Sequence, residues 1–271
     1  MQHMERIGQE QGADNKTRSN RIAKVIARSG LCSRRQAEVW ISEGRVSING
    51  KNITSPAVNV TNKDNISVDG NLLPAPGPPR LWRYHKPSGL VTTNRDPENR
   101  PTIFERLPKD LPRVLTIGRL DITTEGLLLL TNDGDLARAL ELPKTGWLRR
   151  YRVRVHGRVD EAALTKLKSG VVIDGIAYRE IDARLERTQG ANAWLIMSLR
   201  EGKNREIKNV LTAINLRVNR LIRTHFGPFT LGKLERGAVE EVPSKVLRDQ
   251  LPANFQESLK PQRLFDAYHS R

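Results

Sequence analysis

The chain has 271 residues, enough for one large or two modest domains, and its 37% hydrophobic content supports packed cores beneath a polar surface. Its 46 lysines and arginines against 30 acidic residues leave a formal charge of +16, which favours a polyanionic partner, nucleic acid above all. A single cysteine, Cys32, excludes an internal disulfide framework and an all-cysteine metal site, and the five scattered histidines lack metal-ligand spacing. No apolar run nears membrane-spanning length and the first ten residues hold no signal-peptide core, so a cytoplasmic location away from membranes is expected. Phosphate-binding glycine loops, dinucleotide fingerprints and serine nucleophile elbows are missing too, which leaves chemistry carried by side chains alone.

Residues 1–16 are polar and expected to be disordered. A compact basic module follows over residues 17–71. Ser19 or Asn20 is placed to cap a short helix with Ile22, Val25 and Ile26 on one face, and Gly30 ends it. Ser33 starts a second helix, with Gln36 in the capping-box position and Ala37, Trp40 and Ile41 as its apolar stripe. Arg34 and Arg35 fall in its first turn, where the positive helix end already favours phosphate. Gly44 stops this helix. Val46–Ile48, a turn at Asn49-Gly50 and residues 52–54 read as a hairpin. From Lys16 to Asn71 the module carries ten lysines and arginines against four acidic residues, a balance suited to gripping RNA backbone. Residues 72–80 contain Pro74-Ala75-Pro76-Gly77-Pro78-Pro79, a stiff extended linker.

The second domain is expected over residues 81–251. Residues 118–135, GRLDITTEGLLLLTNDGD, place Asp121 in a polar loop that runs into a four-leucine strand closed by a tight turn at Asn132-Asp133-Gly134. Taken alone, an aspartate there suits turn fixing as well as catalysis. Residues 151–155 alternate as a half-buried strand, Asp160 caps a helix over 161–168, and residues 194–199 form another strand. Residues 206–215 form a helix with Ile207, Val210, Leu211 and Ile214 on its buried face, and Leu221-Ile222-Arg223 ends a further strand. The mixed order predicts an α+β fold: a small α+β module joined to a domain on a mixed, largely antiparallel sheet with flanking helices. Residues 252–271 read as a loose basic tail.

The stretch RIAKVIARSGLCSRRQAEVWISEGRVSING, residues 21–50, resembles the S4-type RNA-binding domain. That resemblance implies RNA contacts from Arg21, Arg34, Arg35 and Arg45. GRLD followed by TTEGLLLLTNDG resembles the signature of the RsuA/RluB/RluE/RluF family of ribosomal RNA pseudouridine synthases. HKPSGLVTTNRDPENRPTIFERLP, EGKNREIK and RLIRTHFGPFTLGKLERG extend it over residues 17–251, and the arginine-aspartate-proline and EGKNRE segments are most similar to the branch acting on large-subunit (23S) RNA.

Membership would imply conversion of a uridine into pseudouridine: the N1–C1′ bond breaks, the uracil turns while held, and C5 bonds to C1′. No net redox change occurs, so neither metal nor cofactor is expected. The resemblance makes Asp121 the essential carboxylate, whether it attacks C1′, acts as a base to give a glycal, or attacks C6 of the base. Lys208 matches the basic residue that keeps such a carboxylate charged, with lysine where many relatives carry arginine. Tyr151 matches the tyrosine that stacks on the base and assists proton removal from C5. Leu221 or Ile222 supplies an apolar floor, Arg119 helps displace the base or holds a phosphate, and Lys203 and Arg205 are substrate contacts. Ribosomal RNA is the implied partner of an expected monomer. Two other classes compete: a non-catalytic rRNA-binding assembly factor, and an S4-containing methyltransferase, which would need a glycine-rich cofactor loop that the chain lacks.

Overall fold

The computed structural model describes residues 19–142 and 145–251, and they fall into two compact units divided after Pro76. The expected N-terminal disorder over 1–16 and the tail over 252–271 lie outside the described residues.

The first unit runs β1 (Asn20–Arg21), α1 (Ile22–Arg28), α2 (Arg34–Ser42), β2 (Val46–Ile48), β3 (Lys51–Ile53), β4 (Asn59–Val60), β5 (Ile66–Val68) and β6 (Asn71–Leu72). A four-stranded antiparallel sheet of order β3-β2-β5-β6 shares a core with both helices, built from Ile22, Ile26, Ala37, Ile41, Val46 and Ile66. Leu73, within the expected linker, is buried in that core. The Asn49-Gly50 turn has positive φ at both residues, 50° and 81°, the conformation that a two-residue hairpin demands. Ser33 caps α2 as expected, its hydroxyl accepting from Gln36 N at 3.1 Å. The cap of α1 differs: Asn20 and Arg21 pair with Val60 and Asn59, so Arg21 becomes the N-cap with no side-chain bond. Cross-strand pairing outcompetes the local cap because it satisfies the same backbone groups.

The second unit contains β7 (Leu81–Lys86), β8 (Leu115–Ile117), β9 (Thr124–Thr131), α3 (Gly134–Glu141), β10 (Arg149–His156), α4 (Glu161–Lys166), β11 (Val171–Ile173), β12 (Ile176–Tyr178), β13 (Ile181–Gln189), β14 (Asn192–Leu199), α5 (Glu206–Ala213), β15 (Arg217–Phe226), β16 (Phe229–Thr230), β17 (Val239–Glu241) and α6 (Ser244–Gln250). Its sheet has the order β13-β14-β10-β15-β9-β7-β17, with β8 pairing β9 and β16 pairing β15. The α+β fold on a mixed, largely antiparallel sheet is therefore observed: among these pairs only β15–β9 is parallel, through Leu221↔Thr124, Ile222↔Glu125 and Arg223↔Gly126.

This short parallel seam joins two halves of the sheet. On one side β10, β13 and β14 pack on α4 and α5 through Val153, Leu195, Met197, Val210 and Leu211. On the other, β9 is buried along its whole length. Leu127 and Leu129 face α3, with Leu136 and Leu140, while Leu128 and Leu130 face Trp82, Tyr84 and Ile103. Burial on both faces explains an unbroken leucine run in place of an alternating one.

Several boundaries differ from expectation. Asp133 does not close a tight turn; its carboxylate accepts from Asp135 N (2.8 Å) and Leu136 N (2.9 Å) and caps α3. The strand containing Leu221-Ile222-Arg223 continues to Phe226, because β10 and β16 supply partners beyond Arg223. α4 tightens into a 3-10 turn at Leu167–Ser169, and α5 ends at Ala213.

The seam depends on Gly126. Its φ is +102°, and an added Cβ would sit 2.3 Å from Arg223 O and 2.8 Å from Arg223 N. Glu125 pins the same junction, accepting from Arg220 Nε and Nη2 at 2.9 Å each and from Arg236 Nη2 at 2.9 Å. Gly126→Ala is expected to cost several kcal/mol, because backbone must move on both strands. Gly118→Ala, also at positive φ but with open space around it, should cost about 1 kcal/mol. Denaturant titration of both variants checks the difference.

Candidate active site

The loop before β9 is braced from several directions. Leu120 is buried in the core beneath it. Thr92 Oγ1 donates to Leu120 O at 2.8 Å, and Gly118 N donates to Glu141 Oε1 at 2.7 Å. Gly89 N donates to Ile122 O at 2.7 Å. Beneath it all lies Lys86, fully buried at the end of β7, its ammonium donating to the carbonyls of Pro87 (3.1 Å), Asp121 (3.1 Å), Ile122 (3.4 Å) and Thr124 (2.9 Å). Burial pushes the Lys86 ammonium down to about 8, and the Asp121 and Glu125 charges oppose that fall.

These braces hold the Asp121 backbone while its carboxylate stays partly open to solvent, its side chain 36% exposed. Lys208 reaches it from α5. Lys208 Nζ donates to Asp121 Oδ2 at 3.2 Å and to Thr123 Oγ1 at 2.7 Å. The carboxylate thus has one ammonium against its side chain and a second beneath its backbone.

Asp121 opens onto a cleft of about 270 Å³ whose walls include Tyr151, Leu221, Arg119, Lys203 and Arg205. Tyr151 and Arg223 are cross-strand partners on β10 and β15. Phe226 lies under two guanidiniums, Arg149 at 4.8 Å and Arg223 at 5.1 Å. Arg149 Nη1 donates to Arg200 O (2.9 Å) and Trp147 O (3.2 Å), and burial lowers its pKa. Glu206, at the start of α5, accepts from Lys203 N at 2.9 Å. Burial, reinforced by the neighbouring Glu201 carboxylate, pushes Glu206 up to about 7.

Most of the expected site residues meet here, with some differences. Ile222 alternates to the other side of β15 and packs beside Phe226 and Leu127, so of the two only Leu221 lines the cleft, beside Leu120, Leu199 and Ile207. Lys203 lines the cleft, but its ammonium pairs with Glu201 at 3.1 Å, donates to Ala177 O and lies over the Tyr178 ring. Arg205 is exposed and turns α5 through a left-handed φ of 51°. Arg119 is exposed at the rim. In the first unit, Arg34 and Arg35 are exposed at the start of α2. Arg45 instead forms a fork on Asp69 (2.9 and 2.6 Å) and stacks on Trp40, and Arg21 donates to Ala57 O. The carboxylate and the backbone acceptor absorb these two side chains because both lie within reach in the folded module.

Lys86, Arg149, Arg223, Glu125 and Glu206 have no individual signal in the sequence.

The match of Lys208 to Asp121 yields a graded prediction. Under the chemistry that the family resemblance implies, Lys208→Met should slow the reaction on the order of 10²-fold, because the carboxylate loses the ammonium facing it. Lys208→Arg should stay within about tenfold, since it restores the charge. Single-turnover rates on saturating RNA measure both.

Comparison with known proteins places the chain in a family. Residues 80–213 match the family model described as RNA pseudouridylate synthase, and residues 20–66 match the S4 domain. An uncharacterized RNA pseudouridine synthase of Rickettsia felis is 47% identical over 227 residues, covering 84% of this chain and 98% of the relative. Ribosomal large subunit pseudouridine synthase B of Pasteurella multocida is 44% identical over 231 residues, covering 82% of this chain and 66% of the relative. Among solved structures, one described as a pseudouridylate synthase superposes with a TM-score of 0.60 at 27% identity, covering 85% of this chain and 99% of that one. With both units matched and the braced aspartate inside the matched segment, the chain belongs to the RNA pseudouridine synthase family, isomerases with an N-terminal S4 domain in this case.

Proposed function

We propose that this enzyme isomerises one uridine of large-subunit (23S) ribosomal RNA to pseudouridine, with Asp121 as the essential carboxylate. The observation that carries this reading is the Asp121–Lys208 contact of 3.2 Å at the mouth of a cleft lined by Tyr151 and Leu221. A charged carboxylate, a stacking ring and an apolar floor are what a flipped pyrimidine nucleotide requires. The large-subunit target is supported by the relative from Pasteurella multocida.

In this reading the target uridine leaves its stack and enters the cleft with its ring against Tyr151 and Leu221. Asp121 acts at the sugar, Lys208 sets its ammonium against the carboxylate at 3.2 Å, and Tyr151 assists removal of the C5 proton. Arg119 and Arg205 at the rim hold the RNA backbone. Flipping costs a few kcal/mol, offset by backbone contacts from the basic surface. The protein acts as a monomer in the cytoplasm, the RNA supplying the second surface.

Mapping pseudouridine in ribosomal RNA from cells with and without this protein tests the reading. One 23S site should disappear in its absence and return on complementation. No lost site would overturn the proposal and favour the assembly-factor alternative. A loss confined to small-subunit or transfer RNA would overturn the target alone.

The exposed Arg34 and Arg35 make a separate prediction. Replacing both by alanine in the full chain should reduce the slope of log K against log salt by roughly 1–2, one phosphate contact apiece. An unchanged slope would remove the proposed anchoring role of α2.

A further inference from the structure

We propose that Arg223 binds the target base itself, donating from its guanidinium to a carbonyl oxygen of the uracil ring and stabilising the ring while it is detached from the sugar. This rests on the synthase reading of the cleft and names a group that reading leaves unassigned.

Arg223 is 3% exposed and lines the cleft. Its Cα partner across the strands is Tyr151, so the two side chains rise on one face of the sheet. Leu221, two residues earlier, shares that face. Arg223 Nε donates to Leu127 O at 2.8 Å, which fixes the guanidinium plane at the seam. Its Nη2 is buried and has no hydrogen-bond partner among the described residues. A buried charged donor without a protein acceptor is costly, and it persists where a ligand accepts from it. Neighbouring Arg149 differs, since its guanidinium is committed to two backbone carbonyls. Glu206, the acid on the adjoining wall, turns its carboxylate to Lys203 N and makes no ion pair with Arg223 among the described residues.

The depth of this donor selects the base over the RNA backbone. Phosphates would stay at the rim, near the exposed Arg119 and Arg205. A pyrimidine stacked on Tyr151 carries its O2 and O4 toward the floor instead. When the N1–C1′ bond breaks, its electron pair goes to N1, and the negative charge spreads onto O2 and O4. A fixed guanidinium donor at either oxygen stabilises that charge as it develops. The charge is discharged when C5 bonds to C1′, C5 loses its proton and N1 gains one. Atoms and electrons balance within the isomerisation.

The test uses an oligoribonucleotide spanning the mapped uridine, made with uridine, 2-thiouridine or 4-thiouridine at that position. Sulfur is a poor acceptor, so the wild-type single-turnover rate should fall roughly 10–100-fold for one thio substrate. Arg223→Gln should slow the oxygen substrate by a similar factor, with the RNA dissociation constant within about threefold of wild type, and should lose the sulfur effect. Wild-type rates within twofold for all three substrates would overturn the proposal, as would a folded Arg223→Gln variant at full rate. If that variant does not fold, the thio series on the wild-type enzyme decides. A wild-type enzyme that leaves the oxygen substrate unconverted would overturn the synthase reading, and this inference with it.

Discussion

Asp121→Asn should eliminate isomerisation, by roughly 10⁴-fold or more, while RNA binding changes less than threefold. Asparagine keeps the shape of the side chain but is neither a nucleophile nor a base. The substitution also breaks the contact with Lys208, a partly exposed pair whose loss costs about 1 kcal/mol or less. The loop itself should not move, because Lys86, Thr92, Gly89 and Glu141 hold its backbone and none of them touches the Asp121 carboxylate. Pseudouridine yield under single turnover, together with a filter-binding isotherm, separates the two quantities. A variant retaining more than about a hundredth of the rate would show that another group performs the chemistry.

The second large effect falls on stability. Lys86→Met is expected to cost about 2–4 kcal/mol and to lower Tm by roughly 5–15 °C. Methionine fills the stem of the buried lysine but donates nothing. Asp121 O and Ile122 O keep donors from Thr124 N and Gly89 N, whereas Pro87 O and Thr124 O lose the ammonium. Part of that loss is offset because a buried charge no longer has to be desolvated, which keeps the figure below a full buried-ion penalty. Catalysis should fall further than stability alone predicts, since the slackened loop misplaces the Asp121 carboxylate. Calorimetry and kcat measured well below the new Tm check the two parts. A cost under 1 kcal/mol would mean that water replaces the ammonium beneath the loop.

Both effects involve residues whose legibility in the sequence was unequal. The leucine strand and the amphipathic α5 could be read directly, because period and burial are local properties of a chain. α3 was hidden by Asn132-Asp133-Gly134, a sequence that serves a tight turn and a helix cap equally well. The parallel seam could not be read at all. Pairing of Thr124 with Leu221 is decided by what packs beneath both strands, and neither segment encodes its neighbour. The meeting of Asp121 and Lys208, 87 residues apart, was likewise visible through family resemblance and not through spacing. Lys86 was concealed because a lysine ending a strand ordinarily extends into solvent.

The parallel seam also has a kinetic consequence. It closes a long loop, Arg223 bonding to Leu127 across 96 residues of chain; in this sheet the β7–β17 pair, Tyr84 with Val239, spans still more. Contacts of such separation form late, after the hairpins have condensed. Asp121 and Lys208 sit on opposite sides of that closure, so a refolding chain gains this pair with one of its late long-range contacts. Recovered activity should therefore track a late folding phase, lagging behind the return of secondary structure.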